Sequence, residues 1–129
     1  MNTLNFWIAQ SNIVTILLYA LYTVSSVSGL TLIKFYMSMY KHSDGSDGIG
    51  ISLLGMGFGF LLYIISFLAW VAILERAPLS TAYPVAIGLT LLFSIISSVF
   101  VLNETISLVK SSGIILILLG IILIFRSPT

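Results

Sequence analysis

Four apolar runs dominate the sequence, and each is long enough to cross a lipid bilayer. They cover about residues 12–37, 49–74, 78–102 and 106–125. A helix needs roughly 20 apolar residues to cross about 30 Å of hydrocarbon. Because lipid offers no hydrogen-bond partners, backbone amides must pair within their own segment, which makes a helix the default for each run. The pattern predicts an all-α membrane protein, with four transmembrane helices in a compact bundle and residues 1–129 as a single domain.

Composition supports this assignment and excludes several classes of function. Of the 129 residues, 59% are hydrophobic and only 7% are Asp, Glu, Lys or Arg. A soluble domain carries roughly a quarter charged residues, so a soluble fold is excluded. A formal net charge of +1 provides no basic surface for nucleic acid. The chain has no cysteine, which excludes disulfides and thiol chemistry.

The most polar stretch is the connection over residues 40–50, YKHSDGSDGIG. It contains His42, Asp44 and Asp47, but its Gly, Ser and Asp content is typical of a flexible turn. We therefore predict no metal site, no cofactor and no enzymatic activity.

Basic residues near the helix ends are almost balanced across the predicted membrane. Arg76 and Arg126 fall on one side, whereas Lys34, Lys41 and Lys110 fall on the other. Basic residues normally set topology by their asymmetry. Two hypotheses follow: the chain inserts in both orientations or depends on a partner for its orientation, or it has one orientation with few charges to mark it.

The first helix carries a polar face. Thr15, Tyr19, Tyr22, Ser26 and Gly29 are spaced by three and four residues, so they project together. Small residues permit close helix packing, and serine hydroxyls can bond back to the preceding turn. The alternative is a cavity that binds a polar headgroup through neutral hydrogen bonds. The candidate substrate-binding residues are Tyr22, Ser25, Ser26, Lys34, Tyr63 and Tyr83.

Two further positions in these helices have two interpretations each. Lys34 lies eight residues beyond Ser26, or about 12 Å along a helix axis. It is either an anchor that reaches the membrane interface or a ligand for a phosphate at the mouth of the cavity. Pro84 removes a backbone donor from the third helix, so it is either a hinge or a packing kink.

The fourth helix carries a notch of small residues. Gly113 and Gly120 are seven apart and share a face with Leu116, on an otherwise bulky apolar surface. A second helix can pack closely against such a notch. We predict that Gly113, Leu116 and Gly120 form a dimer interface.

Several motifs, in order along the chain, resemble those of the small multidrug resistance branch of the drug/metabolite transporter superfamily. The first helix ends in small polar residues, Gly29 and then Lys34. The third helix begins with Pro78-Leu-Ser-Thr-Ala-Tyr83, and a short acidic turn, Asn103-Glu104-Thr105, precedes the fourth. The segment from Gly113 to Gly120 resembles the family's dimerisation motif. The resemblance covers essentially the whole chain.

Two departures from the drug-exporting members narrow the resemblance. Those exporters carry a membrane-embedded glutamate three residues before the glycine and a tryptophan three residues after the tyrosine; here these positions hold Ser26 and Ala86. The Ser-x-x-Gly and Ala-Tyr-Pro patterns are instead similar to the subunits that flip undecaprenyl-phosphate-linked aminoarabinose. This similarity implies a membrane-lipid environment, a lipid-linked sugar as substrate and the bacterial inner membrane as location. It also implies a homodimer, or a heterodimer with a paralogous small subunit.

Three functional hypotheses follow. The first is a flippase for a polyprenyl-phosphate-linked sugar, or a subunit of one, that works without a membrane-embedded coupling carboxylate. The second is a small-molecule drug or metabolite exporter of the same fold, although Glu75 and Glu104, the acids nearest the helix ends, are better explained as turn residues. The third is a membrane subunit with no transport activity of its own.

Overall fold

Four helices make up the computed structural model, which describes the backbone of residues 3–42 and 46–126 and the side chains of 13–42 and 48–123. The helices are α1 (Thr3–Lys41), α2 (Ser46–Leu74), α3 (Leu79–Phe100) and α4 (Leu108–Arg126). The prediction of an all-helical chain with four helices is therefore confirmed. Within the described side chains, Ile13–Lys41, Gly48–Leu74 and Leu79–Phe100 are long and apolar enough to cross a membrane, whereas the apolar part of α4, Leu108–Leu123, is shorter. A fourth membrane crossing stays a prediction.

The helix boundaries differ from the expected ones mainly around the first connection. Helix α1 continues to Lys41 and α2 starts at Ser46, so much of the expected 40–50 turn is helical. His42 lies just beyond α1, and its ring nitrogen is 2.8 Å from the Ser38 carbonyl oxygen, which caps the end of the helix. Asp44 and the side chains of Asp47 and Arg126 lie outside the described residues.

Helices α1 and α2 are antiparallel and form the largest interface in the molecule. Their backbones meet at Gly29 and Gly59, where a Cβ added to either glycine would lie 2.7 Å from the carbonyl oxygen of the other. The Tyr36 ring covers Gly55 so closely that a Cβ there would overlap it. Small residues thus bring these two helices into backbone contact, as small-residue faces do in lipid.

Helix α3 begins directly after the Glu75–Pro78 connection. Pro78 has an extended backbone (φ −62°, ψ 141°), and its carbonyl oxygen accepts the amide of Ala82 at 2.9 Å. Proline is favoured at this end of a helix because the first amides have no partner within the helix. Pro84 lies inside α3 and does not end it. Its role as a hinge stays a prediction.

The end of α3 reverses the chain through one left-handed residue, Asn103 (φ 52°). Asparagine tolerates this conformation better than most non-glycine residues. The amide of Glu104 then donates to the carbonyl oxygen of Ser98 at 3.0 Å, which folds the connection back onto the helix. The Glu104 side chain is thereby held at the end of α3 that lies beside the C-terminal part of α1.

Helix α3 runs parallel to α1, whereas α4 packs on α3 alone among the described residues. Gly88 of α3 faces Ile121 of α4, with 3.4 Å between a Cβ added at Gly88 and the isoleucine side chain. Cβ atoms added at Gly113 or Gly120 would meet nothing within 4 Å. The three-helix unit of α1, α2 and α3 is therefore packed, while the compact four-helix bundle and its dimerisation stay predictions.

We predict that Gly29→Ala destabilises the chain by about 1–3 kcal/mol, because the added methyl group would force the α1 and α2 backbones apart. Gly57→Ala is the matched control, since a Cβ at Gly57 meets nothing within 4 Å. That control should be neutral or stabilise by up to about 1 kcal/mol through better helix propensity. Unfolding of both variants in mixed micelles measures the difference. Equal stabilities would contradict the close crossing.

Candidate functional site

A cleft of about 230 Å³ lies between α1 and α2. Its α1 residues precede Gly29, where the backbones of the two helices meet. Helix α1 contributes Tyr22 and Ser26, which are one helical turn apart. Helix α2 contributes residues at positions 63, 66, 67 and 70, whose spacing of three and four places them on one face. They are Tyr63, Ser66, Phe67 and Trp70.

Aromatic rings connect this cleft to the third helix. The Tyr22 and Trp70 ring centroids are 5.5 Å apart with the planes tilted by 38°. Trp70 and Tyr83 are 6.0 Å apart in an edge-to-face arrangement of 62°. These are favourable aromatic geometries. One indole on α2 thus contacts a tyrosine from each of the other two packed helices.

The polar side-chain groups of the cleft are hydroxyls and the Trp70 indole N–H. Ser26 is only 6% exposed, and Ser66 is buried and donates to the Tyr63 carbonyl oxygen at 2.7 Å. The sequence has four acidic residues, at positions 44, 47, 75 and 104. All lie outside the three segments that are long and apolar enough to cross a membrane, Ile13–Lys41, Gly48–Leu74 and Leu79–Phe100. The cleft can therefore offer neutral hydrogen bonds and aromatic faces, but no carboxylate for a proton or a cation.

Ala86 occupies the position at which the drug exporters carry a tryptophan, and it is only 1% exposed. A bulky ring could enter there only if the neighbouring helices separated. The aromatic cluster of this chain obtains its indole from Trp70 on α2 instead.

A second cleft of about 240 Å³ lies between α1 and α3, near the α3–α4 connection. Thr31 donates to the Val27 carbonyl oxygen at 2.7 Å, and its oxygen lies 2.6 Å from the Ser97 hydroxyl. Because the single hydroxyl proton of Thr31 is used by Val27, Ser97 is the donor in this second bond. This bond ties α1 to α3 at the wall of the cleft.

Lys34 lies in the second cleft, where it forms an ion pair with Glu104. The Ser98 hydroxyl donates to the other carboxylate oxygen of Glu104. Together these hydrogen bonds, from Lys34 first and Ser98 second, lower the pKa of Glu104 below its ordinary value. Glu104 was expected to serve only in a turn, so its pairing with Lys34 is a finding of the structure.

A third depression, of about 360 Å³, is an apolar groove between α1 and α3. Tyr19 and Thr23 lie among aliphatic and aromatic residues there. The Thr23 hydroxyl oxygen is buried and has no hydrogen-bond partner among the described residues. The groove suits an alkyl chain better than a polar group. The polar stripe predicted on α1 is thus divided between two faces, with Tyr19 on this groove and Tyr22 and Ser26 in the first cleft.

The six predicted binding residues do not form one site. Tyr22, Ser26 and Tyr63 share the first cleft, and Tyr83 joins it through the Trp70 ring. Ser25 is buried but is not among the residues that line the cleft, and Lys34 lies in the second cleft. Ser66 and Trp70 line the first cleft but were not among the six predicted binding residues. They follow Tyr63 by three and seven residues, and this helical spacing is the sequence signal that places all three on one face of α2.

The fold and these clefts belong to a multi-pass membrane protein. Several curated proteins resemble the chain in sequence. A probable 4-amino-4-deoxy-L-arabinose-phosphoundecaprenol flippase subunit ArnF from Shewanella sediminis is 40% identical over 74 residues, which are 56% of this chain and 50% of that protein. The ArnF of Photorhabdus laumondii is 36% identical over 76 residues, 58% of this chain and 60% of its own length. A probable ArnE subunit from an Enterobacter strain is 33% identical over 76 residues, 59% of this chain and 64% of its own length.

These comparisons confirm the similarity to aminoarabinose flippase subunits that the motifs indicated. The matches span about half to just under two thirds of the length of the curated relatives. These three relatives and a fourth, a probable ArnF from Pseudomonas fluorescens, are all named as flippase subunits rather than as enzymes. No family model matches the chain, and no solved structure does.

The lowered pKa of Glu104 predicts how the Lys34–Glu104 contact responds to pH. A carboxyl whose pKa is depressed in the folded state adds stability above its unfolded-state pKa and loses it as the pH falls through the folded-state value. The stability difference between the unmodified chain and Glu104→Gln should therefore stay constant above the ordinary value of 4.5 and shrink only below it.

Unfolding in mild detergent between about pH 3 and pH 7 measures this difference. Glu75→Gln removes one negative charge from the α2–α3 connection and serves as the control. A difference for Glu104→Gln that is the same at both ends of this range would contradict the ion pair.

Proposed function

We propose that this chain is a subunit of a flippase that moves a polyprenyl-phosphate-linked sugar across the bacterial inner membrane. The observation that carries the proposal is the combination of an acid-free cleft of hydroxyls and aromatic rings with sequence similarity to four proteins named as such subunits. The relatives' names specify 4-amino-4-deoxy-L-arabinose as the sugar, and we adopt an aminosugar of this kind as the substrate.

The first cleft has the chemistry to hold a sugar. Hydroxyls and the Trp70 indole N–H can exchange hydrogen bonds with sugar hydroxyls, and aromatic faces can pack on the apolar side of a sugar ring. Such contacts replace the water that the headgroup loses in the membrane. The polyprenyl tail needs no polar shelter, because it can stay in lipid or against the apolar α1–α3 groove. The protein has only to shield the head.

The same cleft argues against proton-coupled cation export. A buried carboxylate can exchange a proton for a cation because the two compete for one negative charge. Ser26 occupies the corresponding position, and a hydroxyl does not ionise in this way. Movement down a gradient, sustained by consumption of the sugar on the far side, needs no such group.

Reconstitution into proteoliposomes tests the proposal. Undecaprenyl-phosphate-linked aminoarabinose is placed in one leaflet, and its appearance in the other is followed by labelling the amine with a reagent that does not cross the membrane. The unmodified chain should accelerate this movement over protein-free vesicles. Proton-driven export of a quaternary cation, with no movement of the lipid, would refute the proposal and support the drug-exporter hypothesis.

We predict that Ser26→Glu slows movement of the lipid at least about tenfold without creating proton-coupled export. A lone carboxylate in this buried position loses its hydration and fills space that the headgroup needs. Ser26→Ala is the matched control, because it removes the hydroxyl without adding a charge or volume. It should reduce the rate by a smaller factor, of about two to fivefold for one neutral hydrogen bond.

We further propose that α4 joins this chain to a second small subunit, either a copy of itself or a paralogue. The notch of Gly113 and Gly120 faces open space, and Leu116 between them is 69% exposed. Helix α4 also has only α3 as a neighbour within the described chain. The relatives are named as two kinds of subunit, ArnE and ArnF, which supports a flippase assembled from two small proteins.

Gly120→Leu should shift the chain toward monomer, because the leucine fills the notch that allows close approach of a second helix. Cross-linking in membranes and size-exclusion chromatography in detergent measure the shift. Ile115→Leu, a volume-conserving change at an exposed position on the opposite face of α4, is the control. An oligomeric state unchanged by Gly120→Leu would contradict this interface.

A further inference from the structure

The second cleft contains a pair of opposite charges that the proposed sugar site does not use. Lys34 and Glu104 face each other there, beside the hydroxyls of Thr31, Ser94 and Ser98. The pair joins residues 70 positions apart in the chain, on α1 and in the α3–α4 connection. Glu104 follows the end of α3, and Lys34 lies about two turns before the end of α1. A charged headgroup that enters or leaves the protein on this side would meet the pair.

The carboxylate of this pair is held in place by its surroundings. The Ser98 hydroxyl donates to it, and the Glu104 amide donates to the Ser98 carbonyl oxygen at 3.0 Å. The Thr31–Ser97 hydrogen bond fixes the spacing of α1 and α3 beside it. Glu104 therefore stays positioned when its contact with Lys34 opens.

Opening the pair requires little free energy. The Lys34 side chain is 60% exposed and that of Glu104 is 40% exposed. At the membrane interface, which Glu104 in the α3–α4 connection and the long Lys34 side chain can both reach, an exposed ion pair contributes little to stability. A ligand that replaces each partner with a charge of its own can therefore compete with the internal contact.

We propose that Lys34 and Glu104 are specificity-determining residues that together bind a zwitterionic headgroup, with Lys34 pairing with its phosphate and Glu104 with its ammonium group. This inference rests on the proposed function, whose lipid-linked aminosugar carries both charges. One internal ion pair is exchanged for two intermolecular pairs, and the net charge of the cleft stays zero. The first cleft, with its hydroxyls and rings, then holds the neutral part of the sugar during transfer.

The arrangement favours an aminosugar over the corresponding hydroxyl sugar. Both lipids bring a phosphate to Lys34, but only the aminosugar brings a cation to Glu104. When the hydroxyl sugar binds, Glu104 loses Lys34 and gains only a neutral partner, which is a weaker bond than a charge-assisted one. The structure thus assigns discrimination between the two headgroups to Glu104 and general phosphate affinity to Lys34.

Equilibrium binding to the purified chain in micelles tests this division of roles. The two probes are undecaprenyl phosphate carrying 4-amino-4-deoxy-arabinose and undecaprenyl phosphate carrying arabinose. The unmodified chain should prefer the aminosugar lipid by about tenfold, and Glu104→Gln should bring the ratio of the two Kd values close to one. Lys34→Gln should weaken binding of both lipids by about tenfold and preserve their ratio.

Two charge-matched controls accompany these variants. Glu75→Gln removes an acid from the other connection, and Lys41→Gln removes an exposed base from the end of α1. Both should keep the affinities and the ratio of the unmodified chain. Thermal unfolding verifies that each variant is folded. The double variant Lys34→Gln/Glu104→Gln leaves no unpaired charge, and it should also bind the two lipids with a Kd ratio close to one.

One result would overturn the inference about Glu104, and a different result would overturn the proposed function. If the unmodified chain binds both lipids and Glu104→Gln leaves their ratio unchanged, Glu104 does not read the ammonium group, and the flippase proposal stands without it. If the unmodified chain neither binds nor moves either lipid, the proposed function itself fails. A preference that disappears only in Glu104→Gln and in the double variant supports the inference.

Discussion

The contact between the α1 and α2 backbones at Gly29 and Gly59 sets the geometry of the rest of the molecule. Each glycine would place a Cβ 2.7 Å from the other's carbonyl oxygen, so no side chain fits between the helices at this point. In lipid, where apolar side chains gain nothing by leaving their solvent, such close packing is a main source of helix association. The crossing holds the two helices at a spacing that brings Tyr22 within ring contact of Trp70, about two helical turns away.

This spacing determines the chemistry that the membrane-embedded cleft can perform. Ser26 and Ser66 face a volume bounded by aromatic rings, and no acid is among the described residues that line it. Neutral hydroxyls can exchange hydrogen bonds with the uncharged hydroxyls of a sugar, without the desolvation penalty that a buried charge on the protein would carry. The charges of Lys34 and Glu104 lie instead in the second cleft, where both side chains are partly exposed. Separating the neutral cleft from the charged cleft suits the proposed substrate, which combines a hydroxyl-bearing sugar ring with a phosphate and an ammonium group.

Much of the fold and part of the site could be predicted from local sequence patterns. The helices follow from apolar runs, because lipid leaves the backbone no other way to pair its amides. Tyr22 and Ser26 lie together because four residues complete about one turn of a single helix. By contrast, the Lys34–Glu104 pair joins residues 70 apart, and no periodicity relates positions on different elements. The left-handed Asn103, which folds the connection back toward α1, is likewise invisible to a helix-periodicity argument.

The sequence by itself determined that this chain is helical, lies in a membrane and has no carboxylate in its first three apolar runs, because these properties depend on composition and on spacing within one segment. Only the tertiary structure decided which faces meet. It placed Tyr63 and Trp70 opposite Tyr22 and Ser26, put Lys34 in a separate cleft, and left the Gly113–Gly120 face of α4 open. The physical reason is that contacts between helices depend on where small residues permit close approach, and that is a property of pairs of surfaces rather than of either sequence segment alone.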